Sequence, residues 1–108
     1  MEKPLDKIHT EEDQSDNGEK HVPVIKVNTD NEKTEINIVI GEVEHPSEQD
    51  HFIQWIELIV DKINLSKTYL THKNQPKTKF YLNNKPEKIK ARIFCNKHGI
   101  WENKKKVE

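Results

Sequence analysis

From residue 19 onward the chain breaks into seven short pieces in which apolar and polar positions alternate: HVPVIKVN at 21–28, TEINIVIG at 34–41, HFIQWIELIV at 51–60, KTYLTH at 67–72, KTKFYLN at 77–83, KIKARIFC at 88–95 and GIWENKKKV at 99–107. In the second piece Ile36, Ile38 and Ile40 share one face at period two, and β-branched residues dominate, which favours strand over helix. The third piece admits two readings. Phe52, Ile56, Ile59 and Ile63 fall near helical spacing, whereas Ile53 and Trp55 with Phe52, Ile56, Leu58 and Val60 make both faces of a strand apolar, as in the core of a sandwich. Strand is the reading adopted. Asn28-Thr29-Asp30-Asn31, Asn74-Gln75-Pro76 and Asn83-Asn84-Lys85-Pro86 consist of residues that take turn conformations cheaply, and they are expected to be hairpin turns. Seven short strands in about 90 residues predict an all-β fold, an immunoglobulin-like seven-stranded antiparallel β-sandwich.

Composition narrows the picture. The chain has 108 residues, 31% hydrophobic and 34% charged, which suits one domain with a small core. Residues 1–18 are acidic and poor in aromatics, so they are expected to be a flexible N-terminal extension to a domain at 19–108. Net charge is −1, with no basic excess for holding nucleic acid. Charge is nevertheless uneven: 16 of the 19 acidic residues lie in Met1 to Asp61, and 13 of the 18 basic residues lie in Lys62 to Glu108. Such a chain can tie its halves together electrostatically or present a positive surface that steers small anions. Lys104, Lys105 and Lys106 read as a solvated terminus. Cys95 is the single cysteine, so no intramolecular disulfide can form and a reducing compartment is expected. MEKPLDKIHT has no apolar core of a signal segment, and runs such as Ile38 to Ile40 are far too short to span a bilayer. The expectation is a cytoplasmic protein with no membrane partner.

Six histidines carry the chemistry. His21 heads the first strand after Glu19 and Lys20, His45 precedes Pro46, His51 opens the third strand, and His98 follows Cys95 in a Cys-x-x-His pattern; His9 and His72 stand outside this set. Imidazole nitrogens and a thiolate form a borderline-soft donor set suited to iron, zinc or copper and unsuited to magnesium or calcium. Taken alone, Cys95 and His98 are more often a free thiol beside a surface histidine, and the main alternative for His51 is a core histidine beside Trp55.

Taken together and in order, Glu19-Lys20-His21-Val22-Pro23, His45-Pro46, His51-Phe52-Ile53-Gln54-Trp55-Ile56-Glu57-Leu58 and Cys95-Asn96-Lys97-His98-Gly99-Ile100-Trp101 resemble the iron domain of the superoxide reductases, that is neelaredoxin and the iron-binding domain of desulfoferrodoxin. The resemblance covers about residues 19 to 102. It implies one mononuclear non-haem iron per chain, held by His21, His45, His51 and His98 in a rough plane and by Cys95 on the axis. It further implies that Glu19 takes the sixth position in the oxidised state and that Lys20 is the cation beside the open face. Superoxide is the implied substrate, hydrogen peroxide the product, and rubredoxin or a similar small carrier the electron donor. Homotetramers or dimers are the implied assemblies. Ser47, Gln54 and Glu102 depart from the residues common in the family, and none is a presumed ligand. Because Cys95 is the only cysteine, a second, four-cysteine iron site is excluded and the one-iron form is implied.

Two other classes compete with a superoxide reductase. One is a non-catalytic module that binds iron or zinc or transfers electrons; five candidate ligands plus Glu19 exceed the four of a closed structural zinc site. The other is a metal-free interaction sandwich, whose stability would ignore chelators.

Overall fold

The computed structural model describes residues 8–9, 21–41 and 47–107, and eight strands lie among them. The expected sandwich is present as seven antiparallel strands: β2 (Pro23–Asp30), β3 (Lys33–Ile40), β4 (Ile53–Val60), β5 (Ile63–Tyr69), β6 (Lys77–Leu82), β7 (Lys88–Cys95) and β8 (Gly99–Lys106). A two-residue strand, β1 (Ile8–His9), lies within the stretch read as an extension and pairs in parallel with Ile100 and Trp101. One sheet runs β1-β8-β7-β4-β5 and the other β2-β3-β6.

Alternation decides which side chains face the gap between the sheets. Ile36, Ile38 and Ile40 of β3 are fully buried, as their spacing predicts, and so are Ile89, Ala91, Ile93 and Cys95 of β7. Trp101, Ile53, Ile56 and Leu58 complete the five-stranded sheet's share of the core. Each isoleucine so buried removes enough apolar surface from water to contribute about 1.5–3 kcal/mol. The segment with two readings is a strand, β4, and it is apolar on both faces: Ile56 and Leu58 point inward, while outside Trp55 stacks on Phe94 at 5.9 Å and lies under the Lys67 ammonium at 4.2 Å.

Three expectations about connections change. The true hairpins are β2–β3, β4–β5 and β7–β8. The first turns at Asn31 and Glu32, both at positive φ (50° and 67°), so β2 runs through the Asn28 to Asp30 segment read as part of the turn. The second turns at Asp61 and Lys62 (φ 48° and 72°), which moves the start of β5 from residue 67 back to Ile63. Asp61 makes that turn workable by accepting hydrogen bonds from the backbone N–H groups of Glu87 (3.0 Å) and Lys88 (2.9 Å). Segments 74–76 and 83–86 are not hairpin turns: each carries the chain from one sheet to the other, between β5 and β6 and between β6 and β7. Turn-forming residues serve a crossover as well as a hairpin, so composition cannot separate the two.

Among the described residues an ion pair joins the acidic and the basic halves. Arg92 of β7 reaches Glu57 of β4 at 3.8 Å, and its other face pairs with Glu102 of β8 at 3.1 Å. No helix among the described residues is long and apolar enough to cross a membrane.

Ile38 is fully buried in β3, the middle strand of the smaller sheet. Ile38→Ala is expected to lower unfolding free energy by about 2–5 kcal/mol, whereas Tyr81→Ala, at a position 70% exposed, should change it by under about 0.5 kcal/mol; denaturant melts of the two variants check the contrast.

Candidate metal centre

Cys95 is the last inward residue of β7, so the alternation that buries Ile89, Ala91 and Ile93 also delivers its thiol to one end of the core. The chain then turns through residues 96–98 and re-enters the sheet at Gly99, which pairs with Cys95. Gly99 sits at φ 86°, a conformation that a side chain would penalise. That short turn brings His98 back over Cys95, with Nδ1 at 3.7 Å from Sγ.

His51 reaches the same place by a different device. The β4–β7 ladder pairs Ile53 with Cys95 and then slips between Ile53 and Trp55, a bulge that gives β4 one extra residue. Ile53 and Ile56 are consequently both buried although three positions apart, and the face of Ile53 is also the face of His51. Reciprocal backbone hydrogen bonds between Glu48 and His51, at 2.9 and 3.0 Å, fix the loop just before the strand.

His21 enters from the other sheet. It is 1% exposed, immediately ahead of β2, and its ring stacks on Trp101 at 5.0 Å. Trp101 in turn donates its indole N–H to the His98 carbonyl at 3.1 Å, so one buried indole locates two of the histidines. The ring centroids of His21 and His98 are 4.7 Å apart, and those of His51 and His98 5.0 Å apart.

One ligand atom from each of His21, His51, Cys95 and His98 lies within 4.8 Å of every other, close enough to surround a single ion. Of the residues singled out from the sequence, these four are brought together; Glu19, Lys20 and His45 lie outside the described residues. His72 stands apart from the cluster, edge-on to Phe52 at 6.2 Å. The sequence reading missed the parts played by Trp101 and Asn96, although both fall inside the Cys95 to Trp101 motif and were visible there as residue types able to pack on or hydrogen-bond to a neighbour.

The local electrostatics suit a cation. Burial, reinforced by His98 and Lys97, pushes the His51 imidazole below its ordinary range, which keeps it in the neutral form that ligates. Burial pushes the Cys95 thiol up, opposed by hydrogen bonds from the backbone N–H groups of Lys97 and His98 and by the Lys97 charge. A metal ion would reverse that upward push and hold the thiolate. Three imidazole nitrogens and one sulfur fit iron by donor softness.

The Desulfoferrodoxin family model matches residues 13–104. The chain belongs to the desulfoferrodoxin family. It is 39% identical over 84 residues to the desulfoferrodoxin of Nitratidesulfovibrio vulgaris, an alignment that covers 78% of this chain and 61% of that relative. It is 33% identical over 103 residues to the superoxide reductase of Pyrococcus horikoshii, covering 84% and 90%. The chain therefore spans about three fifths of the desulfoferrodoxin and nearly all of the shorter relative. Among solved structures, the superoxide reductase from Nanoarchaeum equitans superposes with a TM-score of 0.76 at 31% identity, covering 93% of this chain and 99% of that one. In this desulfoferrodoxin-family domain the His/Cys cluster is consistent with one mononuclear iron site.

Two shifted groups at the site contribute to the pH behaviour of the metal-free protein. A folded-state His51 that binds protons more weakly than in the unfolded chain loses stability as pH falls below about 6.5, and a Cys95 thiol with a raised value loses it as pH rises past about 8.5. Thermal unfolding of metal-free protein should peak between these limits, with His51→Asn flattening the acid side and Cys95→Ala the alkaline side.

Proposed function

We propose that the protein is a superoxide reductase of the one-iron type, converting superoxide, one electron and two protons into hydrogen peroxide. The observation that carries the reading is the convergence of three histidines and a buried cysteine, with ligand atoms within 4.8 Å, in a chain of the desulfoferrodoxin family. In this reading His45 would complete a set of four imidazoles with His21, His51 and His98, Cys95 would supply a thiolate, and residues 19–108 would form the iron-binding domain behind an acidic extension at 1–18. Iron held there supplies the single electron, and rubredoxin or a comparable small carrier replaces it.

The chain's own residues do the rest. Lys20 presents an ammonium that attracts the substrate anion and stabilises charge as it develops. The Cys95 thiolate would donate electron density to the metal it holds, and the N–H groups of Lys97 and His98 would moderate how strongly it does so. Glu19 would offer its carboxylate to the oxidised centre and so help product to leave. His21 is fixed by the Trp101 ring, which keeps the donor set from relaxing when the charge at the centre changes. The domain works in the cytoplasm as a homotetramer or dimer, with no nucleic-acid or membrane partner.

A second reading, a zinc site without turnover, draws on the same four donors, because four is the number a closed zinc site takes. Metal analysis, visible spectra and pulse radiolysis separate the two. The reductase reading expects one iron per chain, a thiolate-to-iron charge-transfer band on oxidation that disappears in Cys95→Ser, and peroxide formed from superoxide without oxygen and only with a supplied reductant. Lys20→Ala should slow superoxide capture by on the order of tenfold. Tightly bound zinc with no colour, or oxygen released alongside peroxide, would contradict it.

A further inference from the structure

Asn96 contributes no ligand atom, yet it holds both sides of one that does. The regular β4–β7 ladder ends at the Ile53–Cys95 pair, which leaves His51 two residues beyond the last paired position. Asn96 extends the ladder past that point. Its backbone N–H donates to the Phe52 carbonyl at 3.3 Å. Its side chain then straddles His51: Oδ1 accepts from the Phe52 N–H at 3.0 Å, and Nδ2 donates to the Asp50 carbonyl at 2.9 Å. The amide thus stands where the peptide group of a neighbouring strand would stand, and satisfies the groups on either side of His51. The N–H and carbonyl of His51 itself are taken by Glu48.

We propose that Asn96 is a positioning residue for the metal centre, setting the distance between His51 and Cys95. Asn96 is bonded to Cys95, so the clamp ties the loop carrying one ligand to the residue beside another, across 44 positions of sequence. Primary amide chemistry is required, because one arm must accept and the other donate. Asp lacks the donor, Ser offers a single short group, and Gln places both groups one methylene too far. A ligand whose backbone is free to drift no longer lies within reach of an ion held by the other three, and loss of such outer contacts typically weakens metal binding about 10- to 100-fold.

This rests on the metal-centre reading above, and the test keeps the two apart. Metal-free protein is titrated anaerobically with Fe(II) against a competing chelator, and the charge-transfer band of the oxidised, loaded protein is recorded. Asn96→Ala is expected to weaken Fe(II) binding about 10- to 100-fold and to shift the band, with Asn96→Gln falling between it and the wild type. Thr34→Val serves as the stability control, since it removes a buried hydrogen bond to the Asn84 carbonyl (2.7 Å) in β3, outside the donor cluster. It should melt at a lower temperature and bind Fe(II) as the wild type does. Should Asn96→Ala fail to fold, Asn96→Gln decides. Wild-type affinity and an unshifted band in a folded Asn96 variant would overturn the clamp while leaving the centre standing. An affinity loss in Thr34→Val equal to that of the Asn96 variants would likewise reduce Asn96 to a structural residue. A wild type that takes up no Fe(II) would remove the centre and the clamp together.

Discussion

The alternation of β7 is the constraint on which the other features depend. Ile89, Ala91 and Ile93 must face the gap between the sheets because there is no other place for them to leave water, and Cys95, two positions on, faces the same way. The thiol is therefore placed by the packing energy of three residues that have no chemistry of their own. A short turn and the left-handed backbone of Gly99 then bring His98 over it. The histidines are fitted around that thiol.

Fitting them takes three different devices. The β4 bulge turns His51 onto the inner face, Asn96 and Glu48 hold the loop that carries it, and Trp101 locates His21 by stacking and His98 by a hydrogen bond. The arrangement keeps the donors together at one end of the sandwich, in contact with the core. Burial depresses His51, which favours the neutral imidazole that ligates, and raises Cys95, whose proton a bound cation would displace.

Much of this was legible in the sequence. The spacing of Ile36, Ile38 and Ile40 announced a strand and a buried face, and the two-sided apolar pattern of residues 53–60 announced a core strand. The four donors that converge were readable as a set because they recur in order within recognisable motifs. What stayed hidden were features that depend on partners distant in the chain. Asp61 and Lys62 form a hairpin turn without the Asn-Gly or Asp-Gly signal, helped by hydrogen bonds from residues 87 and 88. A bulge is a property of two strands in register, so Gln54 gave no sign of it. The asparagine-rich segments at 74–76 and 83–86 turn between sheets as readily as within one, and only the strand order tells which.

The central claim is that strand alternation, a three-residue turn and a bulge bring Cys95, His98, His51 and His21 onto one ion. X-ray absorption at the iron edge of the reduced, reconstituted protein tests it most directly, because it counts the sulfur atoms bound to the metal and distinguishes imidazole from other light-atom donors. The account predicts one sulfur and a shell of imidazole nitrogens, with the sulfur absent in Cys95→Ser and unchanged in Ile38→Ala. A shell of light atoms alone in the unmodified protein, with iron bound and the fold intact, would contradict it.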